Sequence, residues 1–110
     1  MKIADFFESL IDGEKTILHF SAVWCTPCRL MEPSMAAFLG DNPTVRYIKM
    51  DVDDNESSEM MREFAVRSVP TIISFDGRSK IKTEVRAINR SDIEDLWNSP
   101  SSVVLDLNFE

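Results

Sequence analysis

Residues 16–28 of the 110-residue chain, TILHFSAVWCTPC, decide how the rest is read. Thr16 to Ala22 has the pattern of a buried strand, with Leu18, Phe20 and Ala22 on one face and Ile17, His19 and Ser21 on the other. Two cysteines three positions apart follow at once, and then residues 26–39, where Met31, Met35, Phe38 and Leu39 recur at helical spacing. Pro27 suits the first turn of that helix, where its missing N–H would have had no partner, and Gly40 is expected to stop it. Cys25-Thr26-Pro27-Cys28 therefore sits where a strand hands over to a helix. Unpaired backbone N–H groups and the helix macrodipole favour an anion there, so Cys25 is placed to be a thiolate. Cys28, one turn on, is placed to reach back and resolve a mixed disulfide. Pro27 fixes the backbone between the two sulfurs. Exposed Trp24 would offer a flat apolar contact to an incoming chain, and otherwise it packs.

Outward from this stretch the pattern is regular. Ile3, Phe6, Phe7, Leu10 and Ile11 mark one face of a short N-terminal helix, ended by Asp12-Gly13. Residues 44–52 (TVRYIKMDV) read as a second strand. Asp54 or Asn55 caps a third helix with Met60, Met61, Phe64 and Ala65 on one side, and Val69-Pro70 closes that unit. Residues 71–75 and 80–86 read as a hairpin turning across 76–79. In its second strand Ile81, Thr83 and Val85 alternate with charged residues, so one face is wet. Ser91 and Glu94 form a capping box for a last helix with Ile93, Leu96 and Trp97 inward. The order α-β-α-β-α-β-β-α predicts an α/β protein, a central mixed sheet of about four strands with helices on both faces. Residues 1–98 are expected to form one domain. Residues 99–110 form an extension in which Val103, Leu105, Leu107 and Phe109 alternate as in an edge strand.

Composition narrows the function. Twelve basic against nineteen acidic residues give a net charge of −7, which argues against nucleic acid or an anionic membrane surface as partner. No apolar run approaches the roughly 18 residues of a membrane span. The N-terminus has no secretory pattern, so a reducing cytoplasm is the expected location. Two cysteines are too few and too close for a secreted disulfide scaffold, which leaves redox chemistry, metal binding or no role.

Taken together, Phe20, Ala22, Trp24, Cys25, Pro27, Cys28, Pro33, Lys49 ahead of Asp51-Val52-Asp53, and Val69-Pro70-Thr71 through Phe75 and Gly77 resemble the thioredoxin family over residues 4–98. The resemblance implies a thioredoxin fold with its first strand shortened or missing. It implies a redox-active Cys25–Cys28 disulfide that reduces disulfide-containing proteins without metal or organic cofactor. Cys25 would be the nucleophile and Cys28 the resolving thiol. Pro70 would be cis and face the disulfide, the Val69 backbone would hold a substrate strand, and Trp24, Thr26 and Pro27 would border it. A reductase, in the family usually a flavoprotein, would return the electrons.

Four departures stand out. His19 occupies the place of a buried aspartate that assists Cys28 by proton transfer in the family. It could accept that proton, act as a cation that stabilises the thiolates, or be a neutral core histidine. Thr26 replaces a glycine between the cysteines. Arg86 replaces a glycine lining the substrate groove, where it would narrow the groove, select acidic partners or point to solvent. Only about three residues precede the first helix, so a sheet edge is left bare. The alternating C-terminal segment is the candidate to cover that edge, within a monomer or exchanged in a dimer.

Rival readings are weaker. Cys25, Cys28 and His19 supply three zinc ligands where a structural site wants four. The acidic run 51–56 has Glu56 and Arg62 where a calcium loop needs Gly and Glu. A thioredoxin-like subunit that binds a partner without turnover would not need both cysteines, and an oxidant or isomerase is the remaining variant.

Overall fold

The computed structural model describes residues 1–98. Strand β1 (Lys15–Ser21) lies in the interior of a four-stranded sheet of order β2-β1-β3-β4, and every residue of it except Lys15 is buried. β2 (Arg46–Asp51) runs parallel to β1, and β3 (Thr71–Asp76) runs antiparallel on its other side. β4 (Ser79–Glu84) returns antiparallel to β3 at the far edge. A strand buried on both faces reads as a nearly continuous apolar run, which is what residues 16–22 supply.

Side-chain alternation along β1 splits the core in two. Leu18 and Phe20 join Met50, Ile73 and Phe75 beneath α1 (Ile3–Ser9) and α3 (Ser58–Glu63), which contribute Phe6 and Met60. Ile17 and Ile72 face the other way, packed with Met31, Met35 and Phe38 of α2 (Thr26–Asp41) and with Ile93 of α4 (Arg90–Glu94). A buried hydrogen bond from Ser74 Oγ to the Leu96 carbonyl (2.6 Å) ties the end of α4 to β3. No helix among the described residues is long and apolar enough to cross a membrane.

The structure corrects several local expectations. α1 ends at Ser9, Leu10 caps it in extended conformation, and Ile11 is 60% exposed. Gly40 lies inside α2, which runs to Asp41 because Asn42 caps it, donating from its side chain to the Phe38 carbonyl at 2.9 Å. Asp54 caps a single 3-10 turn, Asn55–Ser57, and α3 begins only at Ser58. Ala65 falls past the end of α3 with φ 52°, and it is exposed rather than on the apolar side. β4 stops at Glu84. Its register shifts opposite Ser74/Phe75, Thr83 is exposed on this edge strand, and Val85, past its end, is exposed as well. Gly77, at φ 58°, makes the hairpin turn, and a Cβ there would meet the Asp12 side chain at 3.3 Å.

Among the described residues no strand precedes α1, and β2 pairs only with β1. The alternating segment 103–109 proposed for the bare edge lies outside the described residues.

Candidate functional site

The two cysteines form a disulfide at the start of α2, with Cα atoms 5.3 Å apart. Cys25 is the N-cap, and its Sγ accepts a hydrogen bond from the backbone N–H of Cys28 at 3.2 Å. That donor is one of the orphan N–H groups every helix start leaves, and here it is spent on the first sulfur. Pro27 occupies the first turn, where it displaces no hydrogen bond. Both cysteines are buried, Cys25 at 3% exposure and Cys28 at 0%, in a small cluster with Ala22 that Val52 and Val69 pack against.

The neighbours of the disulfide divide into a buried and an exposed set. Val69-Pro70 is cis, Pro70 is buried, and Val69 is packed on the cysteine cluster, so the loop before β3 is brought to the disulfide. Thr26 and Pro27 are exposed, and Trp24 is 64% exposed with its indole N–H donating to Asp53 Oδ2 at 2.7 Å. An apolar ring held open to solvent by a carboxylate is a presentation that packing alone would not require.

His19 lies two residues before Ala22's neighbour Ser21 on β1 and is fully buried. Its Nδ1 is 2.8 Å from the Tyr47 hydroxyl, and its Nε2 has no partner among the described residues. Burial, and next the Lys49 ammonium, push its pKa down to about 4, so the ring is neutral near pH 7. The same burial pushes the Tyr47 phenol up to about 12. Arg86 is not brought into this cluster by any bond. Past the end of β4, its guanidinium contacts Glu84 (3.4 Å) and Asp92 (3.2 Å) at the start of α4.

Two residues of this neighbourhood, Tyr47 and Glu32, escaped the sequence reading, and a third, Asp53, was read only as part of the family resemblance. Tyr47 lies two before Lys49, hence on the same face of β2, and Tyr47 is the register partner of Ile17 as Lys49 is of His19. Glu32 lies one helical turn after Cys28 and accepts from Lys49 Nζ at 2.8 Å. Asp53 holds Trp24. Spacings of two on a strand and four on a helix were the available signals. No group of three or more metal-ligating side chains occurs among the described residues, and the His19 nitrogen nearest a partner is taken by Tyr47.

A dithiol at a helix N-terminus, flanked by an exposed aromatic and a cis-proline loop, is a geometry suited to thiol–disulfide exchange. Comparison with known proteins agrees with it. The family model described as Thioredoxin matches residues 1–99. Thioredoxin-2 of Pyricularia oryzae is 34% identical over 100 residues, 89% of this chain and 57% of that protein. A bifunctional thioredoxin reductase/thioredoxin of Mycobacterium leprae is 36% identical over 107 residues, 96% of this chain and 22% of that protein. The chain thus spans little more than half of the first of these relatives and about a fifth of the second. The crystal structure of oxidised mitochondrial thioredoxin 3 from Saccharomyces cerevisiae superposes with a TM-score of 0.73 at 29% identity, covering 86% of each chain. The four-stranded mixed sheet with helices on both faces is a thioredoxin fold, and the chain belongs to the thioredoxin family.

Proposed function

We propose that the chain is a protein-disulfide reductase working through Cys25 and Cys28. The observation that carries this is the disulfide at the N-terminus of the 16-residue α2, with the Cys28 N–H directed at Cys25 Sγ. In the reduced protein that donor and the helix dipole favour negative charge on Cys25 over Cys28. The Cys25 thiolate attacks one sulfur of a substrate disulfide, forming a mixed disulfide and expelling the other substrate sulfur as thiolate. Cys28 gives up its proton, and its thiolate attacks Cys25 Sγ, forming the Cys25–Cys28 disulfide and releasing the second substrate sulfur. Two electrons pass to the substrate, whose two thiolates each take up a proton.

Trp24, Thr26 and Pro27 border the approach to Cys25, and the Val69-Pro70 backbone supports an extended substrate segment beside it. His19, neutral and buried on β1, holds its Nδ1 against the Tyr47 hydroxyl. The relative that joins a thioredoxin reductase to a thioredoxin in one chain supports a thioredoxin reductase as the source of electrons. The test is reduction of a protein disulfide with catalytic protein and excess dithiothreitol, followed with a reductase and NADPH. Turnover should be lost in Cys25→Ser, and Cys28→Ser should accumulate the mixed disulfide. A stoichiometric complex that forms equally well with Cys25→Ser, and no turnover, would overturn the reading.

A further inference from the structure

β2 lies at one end of the sheet, and among the described residues its outer edge pairs with no strand. Just past the strand, the Val52 N–H donates to the Ser21 carbonyl of β1 at 2.9 Å. Backbone direction alternates along a strand, so the N–H groups of Tyr47 and Lys49 point away from β1, toward the free edge. Such a row of unpaired donors and acceptors is a template for a further strand. The described chain ends close to where this edge begins. Past α4, Trp97 stacks on Phe38 with centroids 5.9 Å apart and donates from Nε1 to the Phe75 carbonyl at 2.9 Å. The ammonium of Lys15, the first residue of β1, lies 5.4 Å from the centre of the Trp97 ring. Trp97 also shares the wall of a cavity of about 280 Å³ with Val45, the residue before β2.

We propose that residues 103–109 of the same chain dock on this edge as a further strand, parallel to β2. Val103, Leu105, Leu107 and Phe109 alternate with Val104, Asp106 and Asn108, seven residues to lie beside the six of β2. The reach is sufficient. Trp97 stands by the start of β1, so the place outside β2 is two strand spacings away, about 10 Å. Residues 98–102 span up to about 17 Å when extended. Entry at the Val45 end sets the direction, since a strand that begins there runs parallel to β2. An antiparallel strand would have to begin at the far end of β2, about 20 Å further along. Topology gives the same answer. β4 is parallel to β1, because both are antiparallel to β3, and α4 packs with α2 on one face of the sheet. The connection from β4 through α4 to a strand outside β2 therefore crosses the same face, in the same direction, as that from β1 through α2 to β2. The two have one hand, and such connections between parallel strands are right-handed almost without exception. The apolar row extends the α1 side, where Ile3, Phe7 and Ile48 are only half buried. Asp106 then comes out on the side of Lys49, the face opposite Ile48.

The test is amide hydrogen exchange followed by NMR on the full chain, in the parent and in Leu105→Pro, which removes an N–H and cannot continue the ladder. The Tyr47 and Lys49 amides should be protected in the parent. In the variant they should exchange about tenfold faster, the factor that losing the net worth of one hydrogen bond gives. Ile48 and Met50, whose N–H groups face β1, should be unmoved, which separates loss of the edge strand from general unfolding. Cross-strand Overhauser contacts between residues 103–109 and 46–51 need only the parent, and they should follow a parallel register. Equal exchange of Tyr47 and Lys49 in parent and variant would overturn the inference, as would contacts in an antiparallel pattern. Protection that rises with protein concentration would also overturn it, by giving the edge to a second copy of the chain. None of these readouts involves turnover, so the reductase reading stands or falls separately.

Discussion

The two faces of the sheet are built from alternate residues of the same strands, yet they have different contents. Beneath α1 and α3 the core is aromatic and apolar. Phe6, Phe64 and Phe75 meet edge to face with centroids 5.2 to 5.9 Å apart, and Leu18, Phe20 and Ile73 fill in around them. Beneath α2 and α4 the apolar core of Ile17, Ile72 and Ile93 shares space with His19, Tyr47 and Ser74 and borders the Glu32–Lys49 pair. One face holds the chain folded, and the other holds it folded around a thiol chemistry that needs fixed charges and hydrogen bonds. Alternation keeps the two apart: a change at Leu18 and a change at His19, adjacent in sequence, act on opposite sides of the sheet.

Phe6→Ala tests that separation with the largest effect. Phe6 is fully buried and touches both Phe64 and Phe75, so truncation should cost about 3–5 kcal/mol in urea denaturation. Turnover on a protein disulfide, measured well below the unfolding transition, should not change. Altered turnover of the folded variant would mean that the aromatic face also sets the chemistry, and the division would fail.

His19 gives the next largest effect, visible only as a pH dependence. Its pKa is lowered from 6.5 to about 4 on folding, so between those values the unfolded chain binds a proton that the folded chain refuses. The contribution is fully present above pH 6.5 and is lost as pH falls toward 4, about 3 kcal/mol in all. Denaturation midpoints of the parent and of His19→Gln, measured from pH 7.5 to 4, should show this loss in the parent alone. Parallel curves would show that His19 is not held neutral by the fold.

Much of this was legible in the sequence because it depends on local pattern. The strand–CxxC–helix order, the hairpin about Gly77 and the two apolar sets of β1 follow from spacing, and the cis peptide before Pro70 followed from resemblance. What was illegible depends on tertiary competition. Gly40 reads as a stop, but Asn42 offers a better cap two residues on. Thr83 and Val85 read as an inward face, but β4 is an edge strand that ends at Glu84, and both are exposed. His19 reads equally as base, cation or core. Burial inside the sheet, and next the Lys49 ammonium, decide that it is neutral. Glu32 and Lys49 are seventeen positions apart, and nothing in the chain announces that they meet.

Tyr47→Phe sharpens the contrast at a smaller scale. It removes one oxygen and leaves the buried His19 Nδ1 without its partner, at a cost of about 1–2 kcal/mol. The imidazole nitrogen resonances of His19 should shift in the same variant. An unchanged spectrum would mean that the hydroxyl does not fix the ring.

The smallest effect separates two overlapping signals at the start of α4, the helix that seals the reactive face. Ser91 with Glu94 and Asn89 with Asp92 both fit the pattern of a capping box. The chain uses Asn89, whose side chain accepts from the Asp92 N–H at 2.9 Å while Asp92 accepts from the Asn89 N–H at 3.2 Å. Apolar placement decides between them. With Asn89 as cap, the preceding residue is Ile88 and the fourth helical residue is Ile93, both buried in the same core. That is the pairing of a hydrophobic staple. With Ser91 as cap the corresponding residues are Arg90 and Asp95, which have nothing to bury. Asn89→Ala should therefore cost about 1 kcal/mol, while Ser91→Ala should stay within about 0.5 kcal/mol of the parent. Equal losses would mean that the two caps exchange in solution, and that this end of the reactive face is held less firmly than the aromatic face opposite.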